Sequence, residues 1–160
     1  MYERIEKYIV NPVPNRGYEV RGQWKDDVHD LKTHILFDYQ TYKIIDAKVE
    51  ASGIPFEICQ QGIKSLETLI GVQVGPGFNR LVKEQVMGQN GCVHVGELVL
   101  GSVKAAVQAA SRQIPDWMDE KDYTTKWAGW ESLYKNQCVY FAQPEGEMLK
   151  PDEIHDKLGK

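Results

Sequence analysis

Cysteine is scarce in this chain, and that scarcity limits the chemistry the sequence can support. The 160 residues contain three cysteines, Cys59, Cys92 and Cys138, and these lie far apart. An odd, scattered set does not form the framework of a disulfide-stabilised secreted domain, and the Cys-x-x-Cys pair typical of many zinc sites is missing. We therefore interpret the cysteines as ligands, nucleophiles or core residues of a protein in a reducing compartment.

Positive charge at the density that nucleic acids or anionic membranes require is missing as well. Lys and Arg total 19 against 23 Asp and Glu, which gives a net charge of −4. The longest apolar stretch, residues 93–103, is interrupted by Glu97 and two glycines and is too short to span a bilayer. Residues 1–20 have the pattern of neither a signal peptide nor an amphipathic presequence. The sequence thus predicts no nucleic-acid partner, no membrane and a cytoplasmic location.

Strand-like alternation is present in the first third of the chain. Three runs alternate apolar with polar residues, which is typical of strands that have one wet face. Their apolar sets are Tyr18, Val20 and Trp24, then Leu31, Thr33, Ile35 and Phe37, then Ile45, Ala47, Val49 and Ala51. A further short strand is predicted at residues 5–10, within an N-terminal arm at residues 1–16. The short polar links between the runs predict an antiparallel meander.

Helical periodicity replaces this alternation after residue 58. One helix is predicted from Cys59 to Gly71 and a second after Pro76, followed by a central helix at residues 91–114 that is apolar nearly all round and therefore buried. Residues 115–160 form an aromatic, acidic segment, with a late strand predicted at 139–142 and a short helix at 151–158. We predict a single α+β domain, with its core at residues 17–114, in which three or more helices cover one face of a three- or four-stranded sheet.

The first turn of the central helix holds the strongest candidates for chemistry. Cys92, His94 and Glu97 stand there, and ionisable groups at the end of an apolar helix need partners to offset their desolvation. The helix N-terminus favours the thiolate of Cys92, which is both the nucleophilic and the metal-binding form. Glu97 follows His94 by three residues and shares a helix face with it, so Glu97 is the candidate to orient His94 or to act as a base.

Other candidates are weaker. Cys59 opens a predicted helix and Cys138 precedes the predicted late strand, so both join the candidate metal-ligand set. Gly77 at a helix start, together with Trp127 and Trp130, are the candidate cofactor-contacting residues.

Plainer interpretations compete with each of these. A free cysteine often serves as a small core hydrophobe, and His94 with Glu97 would also make a structural hydrogen-bonded pair. The tryptophans also suit a core or a dimer surface. Among the remaining titratable residues, we expect His29 and His34 to face solvent from strands, and Asp26, Asp27 and Asp30 to form a solvated turn.

Three segments of the chain resemble the bacterial domain-of-unknown-function family 2889. They are SGIPFEIC at residues 52–59, LIGVQVGPGF at 69–78 and GCVHVGEL at 91–98, of which the last is the most specific. The resemblance implies positions but no reaction. A looser resemblance links the chain to iron–sulfur scaffold proteins of the NifU and SufU type, in which Cys59, and Cys92 with His94, would match the helix-opening residues.

The leading hypothesis from the sequence is a metal-binding protein that acts on a small molecule. Cys59, Cys92, His94 and Cys138 would hold iron, an iron–sulfur cluster or zinc, because thiolate and imidazole suit these metals and not magnesium or calcium. Two other hypotheses stay open. One is a metal-free thiol enzyme or sulfur carrier that uses Cys92, His94 and Glu97. The other is a non-catalytic ligand-binding or assembly module, such as a homodimer.

Overall fold

A four-stranded antiparallel sheet forms the first third of the chain. The computed structural model describes residues 1–111, 115–144 and 153, with only the backbone of residues 127–133 among them. The strands are β1 (Ile5–Val13), β2 (Gly17–Lys25), β3 (Asp30–Asp38) and β4 (Ile44–Gly53), and they lie in this order across the sheet. The predicted meander is confirmed, and the first strand continues beyond its predicted end at Val10 to Val13.

The sheet buries one face and leaves the other open, as the alternation predicts. Side chains of successive residues point to opposite faces of a strand, so one set meets the helices and the other meets water. The buried set on β2 and β3 is Tyr18, Val20, Trp24, Leu31, Thr33, Ile35 and Phe37. On the open face Arg21 pairs across the strands with His34, and His34 with Lys48.

A bulge changes the register of β4. Leu36 pairs with Asp46, but its neighbour Phe37 pairs with Ile44, so Ile45 has no partner of its own. Ile44 is consequently buried with Phe37, and the prediction that Ile45 faces the core was wrong.

The chain after the sheet forms shorter helical pieces than predicted. α1 (Cys59–Ile63) continues as a 3₁₀ helix over Lys64–Leu69, and α2 (Phe78–Val82) continues as a π-helical turn over Lys83–Met87. Gly71 adopts φ +86° after the first pair, as expected for a glycine that ends a helix. These pieces add Ile63, Leu66, Leu69, Phe78, Val82 and Val86 to one core with the inner face of the sheet.

α3 (Val93–Ala110) is the longest helix. Val95, Leu98 and Val99 are fully buried in the same core, and each such side chain contributes about 1.5–3 kcal/mol of apolar burial. The predicted burial of this helix is confirmed for most of its length, but the helix exposes one narrow stripe to solvent. The stripe consists of Val93, Glu97, Lys104 and Gln108.

The chain divides into two compact units, Met1–Val107 and Gln108–Lys160. The second unit contains α4 (Glu120–Tyr134) and a turn that follows it. The ring of Tyr134, at the end of α4, stacks on the ring of Phe141 in the turn, with the ring centroids 5.3 Å apart. The prediction of a strand at residues 139–142 was wrong. The chain forms a turn there, in which the N–H of Ala142 donates to the carbonyl of Cys138 at 3.0 Å.

Two further points concern the extent of the described chain. The helix predicted at residues 151–158 lies outside the residues that the structure describes. Within residues 1–111 and 115–144, no helix is both long and apolar enough to cross a membrane.

Candidate functional site

Backbone contacts fix the point at which α3 begins. Cys92 stands immediately before the helix, where its N–H donates to the carbonyl of Val86 at 2.7 Å and its own carbonyl accepts the N–H of Gly96 at 3.0 Å. A methyl group on Gly62 of α1 would lie 2.6 Å from the carbonyl oxygen of Gly91. The two segments approach this closely because Gly62 lacks a side chain. Cys92 and the first turn of α3 are therefore held by the core and by α1.

The turn between β2 and β3 is organised by the carboxylate of Asp26. Its Oδ1 accepts the backbone N–H groups of Val28 at 2.9 Å and His29 at 2.7 Å, and its Oδ2 accepts the indole N–H of Trp24 at 2.9 Å. The Nδ1 atom of His29 lies 3.0 Å from Oδ1 of Asp26. The Asp26 side chain is only 3% exposed and that of His29 14%. The predictions of a solvated turn at Asp26 and a solvent-facing His29 were both wrong.

These donors set the protonation state of Asp26. The indole hydrogen bond from Trp24, joined by the N–H groups of Val28 and His29, holds the pKa of Asp26 well below its usual value. Hydrogen bonds to a carboxylate favour its charged form. Asp26 is therefore ionised throughout the neutral range.

His94 approaches this turn from the first turn of α3. Its ring centroid lies 4.0 Å from that of His29 and 4.7 Å from that of Trp24, with an edge-on approach to the indole. Burial, and then the charge of His29, lowers the pKa of His94, which favours the neutral imidazole that binds metals.

Asp26, His29 and His94 together form a cluster of side chains that could hold a metal ion. One ligand atom from each residue lies within 4.8 Å of the other two. Among the residues that the structure describes, it is the only group of three or more His, Cys, Asp or Glu side chains with this spacing.

Cys92 lies beside this cluster but is not a member of it. Its Sγ atom is 3.9 Å from Nδ1 of His94. The two side chains can meet because Cys92 precedes the helix and is free of its geometry, as the sequence suggested. Glu97 lies on the exposed stripe of α3, and within the described part of the chain no hydrogen bond joins it to His94. The negative charge of Glu97 acts instead on Tyr8, whose pKa it helps to raise after burial and Glu6.

The remaining sequence-predicted residues lie elsewhere. Cys59 opens α1, as predicted, and is partly buried, whereas Cys138 is exposed in the second unit. Gly77 precedes α2 at φ +86°, with open space around it. The side chains of Trp127 and Trp130 are not among those described, so their predicted ligand contacts stay predictions.

Sequence reasoning missed Asp26 and His29. The available signal was local: an Asp three residues before a His, in a short link between two strands, permits the carboxylate to cap the turn and reach the imidazole. No sequence spacing relates that pair to His94, which belongs to a helix that packs on the sheet much later in the chain.

Comparison with known proteins identifies a family whose matched range includes the three residues of the cluster. The model of a family described as a protein of unknown function (DUF2889) matches residues 12–108, which is more than half of the chain. Asp26, His29, Cys59, Cys92 and His94 fall inside the matched range, and Cys138 falls outside it. No curated protein and no solved structure matches the chain.

Proposed function

We propose that this chain, which belongs to the DUF2889 family, binds a single divalent transition metal, zinc or iron(II), through Asp26, His29 and His94. The observation that carries the proposal is the mutual approach of the three ligand atoms. One carboxylate with two imidazoles is the donor set of non-haem iron(II) sites and, with glutamate, of catalytic zinc sites.

The distances within the cluster suit such an ion. Nitrogen and oxygen donors that lie about 2.0–2.2 Å from one zinc ion are separated from each other by roughly 3–3.5 Å. Nδ1 of His29 and Oδ1 of Asp26 already have this spacing at 3.0 Å. The third ligand atom lies within 4.8 Å of the other two, so a modest side-chain rotation of His94 would complete the set.

The protonation states and the surrounding hydrogen bonds also suit a metal. Metal ligands must be deprotonated, and both the low pKa of Asp26 and the lowered pKa of His94 reduce competition from protons. Hydrogen bonds from the Trp24 indole and the Val28 N–H orient the Asp26 carboxylate, as outer partners do in metal sites.

We assign Cys92 the role of orienting His94 rather than that of a ligand. Its sulfur contacts Nδ1 of His94, which leaves Nε2 to face the metal. Three protein ligands then leave a coordination position for water or a substrate, as in catalytic zinc sites.

The donor set favours a mononuclear centre over an iron–sulfur cluster. Such clusters are held mainly by several thiolates, and within residues 1–107 Cys92 is the one cysteine whose sulfur contacts a member of the group. Cys59 and Cys138 as ligands, and the scaffold role suggested by the NifU and SufU resemblance, stay predictions from the sequence. So do the cytoplasmic location, the small-molecule substrate, a homodimer and the absence of a nucleic-acid partner.

Elemental analysis of the purified protein tests the proposal. We expect one zinc or iron ion per chain, and loss of that ion from Asp26→Asn, His29→Gln and His94→Gln. Matched controls are Asp27→Asn, an exposed neighbour, and His34→Gln, on the open face of β3; both should keep the metal. Cys92→Ser should keep the stoichiometry with affinity lowered about ten- to hundredfold. A protein that takes up neither metal on reconstitution, or ligand variants that bind as well as wild type, would contradict the proposal.

A second function is favoured by one observation, the 3.9 Å contact between Cys92 Sγ and His94 Nδ1. In this alternative Cys92 is a nucleophile and His94 its base, without a metal. Chelator-treated protein should then be alkylated by iodoacetamide at Cys92 faster than at Cys59, and His94→Gln should slow the reaction. Equal rates at Cys92 in wild type and His94→Gln would rule this function out.

A further inference from the structure

Arg4 lies on the same side of the sheet as the cluster. The register of β1 and β2 pairs Glu6 with Trp24, and Arg4 stands two residues before Glu6, so the alternation of the chain favours the helix-facing side for Arg4 as well. The guanidinium carbon of Arg4 lies 4.5 Å from the centroid of the Trp24 ring. The same ring contacts His94, so Arg4 and His94 share one aromatic neighbour.

The guanidinium of Arg4 retains unused donors. Its Nε lies 3.0 Å from Oε1 of Glu6, and within the described residues Arg4 makes no other hydrogen bond or ion pair. The N–H groups of its terminal nitrogens are therefore available. The side chain is 47% exposed, so a ligand from solvent can reach them. Stacking on Trp24 and pairing with Glu6 hold the guanidinium in a defined place.

The electrostatics of the site favour an anion. A divalent metal with a single carboxylate ligand would keep a net positive charge, whereas the formal charge of Arg4 is balanced by its partner Glu6. The first N–H groups of α3 have no partner within the helix and carry the positive end of its dipole to the turn that holds His94. The metal and the helix N-terminus thus supply positive potential to the site, and Arg4 supplies hydrogen-bond donors next to it.

We propose that this site takes a small molecule through a carboxylate or phosphate group. One oxygen of that group occupies the open position of the metal, and another accepts N–H groups from the terminal nitrogens of Arg4, whose planar fork matches such oxyanions. This inference rests on the metal centre proposed above and adds to it the chemical class of the substrate.

Cobalt-loaded protein provides the test, because the visible absorption of cobalt(II) responds to a new ligand. Cobalt uptake is measured first, and the loaded protein is then titrated separately with acetate and with inorganic phosphate. We expect a saturable spectral change with at least one of the two, and the tighter ligand identifies the anion. Arg4→Gln should weaken that binding about ten- to hundredfold, as expected for loss of a charged hydrogen bond.

Arg21→Gln is the matched control. Arg21 also pairs through Nε with a glutamate two residues away, Glu19 at 2.9 Å, but it lies on the open face of the sheet. The Arg21→Gln variant should bind acetate and phosphate as tightly as the wild type does. If cobalt binds but neither anion changes the spectrum, or if Arg4→Gln binds anions as tightly as Arg21→Gln, the inference is overturned while the metal centre stands. If cobalt, zinc and iron all fail to bind, the metal centre itself fails.

Discussion

The imidazole rings of His29 and His94 lie with their centroids 4.0 Å apart, although one ring follows a hairpin turn and the other begins a helix. Burial, and then the charge of His29 at this separation, lowers the pKa of His94. A metal ion between them needs both rings neutral. The contact therefore couples occupancy of the proposed site to pH.

The stability of the metal-free protein should fall as the medium becomes acidic. Burial and the charge of His29 lower the pKa of His94 in the folded state, whereas in the unfolded chain its pKa is about 6.5. Below that pH the unfolded chain binds the proton first, so stability is lost as the pH falls toward the folded-state pKa. Urea unfolding of chelator-treated protein between roughly pH 5 and 8 measures this loss. His94→Gln should flatten the dependence and His34→Gln should not; an equally steep dependence in His94→Gln would contradict the assignment.

Gly91→Ala should damage both the fold and the site. A methyl group at Gly91 would overlap the carbonyl of Val86, which accepts the N–H of Cys92. The backbone before α3 must then move, at a cost of about 1–3 kcal/mol in the free energy of unfolding. Metal affinity should fall with it, since His94 is placed by the same backbone.

Gly75→Ala is the control for that change, because a methyl group there meets nothing within 4 Å. Chemical denaturation and metal titration of the two variants make the comparison. If Gly91→Ala proves as stable as Gly75→Ala, the close backbone contact is not what positions the start of α3.

Two buried serines should respond oppositely to alanine. The hydroxyl of Ser102 is fully buried and has no hydrogen-bond partner among the described residues, whereas that of Ser65 donates to the carbonyl of Gly62 at 2.7 Å. Removing an unpaired hydroxyl is neutral or stabilising, but removing a bonded one costs about 1 kcal/mol. Thermal or urea unfolding of Ser102→Ala and Ser65→Ala tests this. An equal loss in both would indicate a water molecule bonded to Ser102.

Tyr8 should make the protein sensitive to alkali. Burial, followed by the charge and hydrogen bond of Glu6, raises the pKa of Tyr8 to about 12. Tyrosine in the unfolded chain ionises near pH ~10, so the stabilisation is complete below that pH and is lost as the pH rises toward 12. Unfolding curves across this range should decline less steeply for Tyr8→Phe than for wild type. A decline as steep in Tyr8→Phe as in the wild type would contradict the assignment.

Much of the architecture follows from local periodicity. The sets beginning at Tyr18 and Leu31 are buried as predicted, because a pleated strand separates odd from even residues whatever it packs against. The prediction for Ile45 was wrong because of a bulge in β4. A bulge depends on how two strands pair, and this pairing cannot be read from the sequence of one strand alone. The sequence did not predict the exposed stripe of α3 for a similar reason. The apolar composition of a helix does not show which of its faces will have no other element packed against it.

The candidate site was likewise predictable from the sequence only in part. The amino-acid sequence alone determined that Cys92 would precede a helix and that His94 would stand in its first turn, because a glycine-rich break and a helical period are local signals. Only the tertiary structure decided that His94 meets Asp26, His29 and Trp24 rather than Glu97. That contact joins a hairpin turn to a helix far along the chain, and it exists because the core packs α3 on the inner face of the sheet.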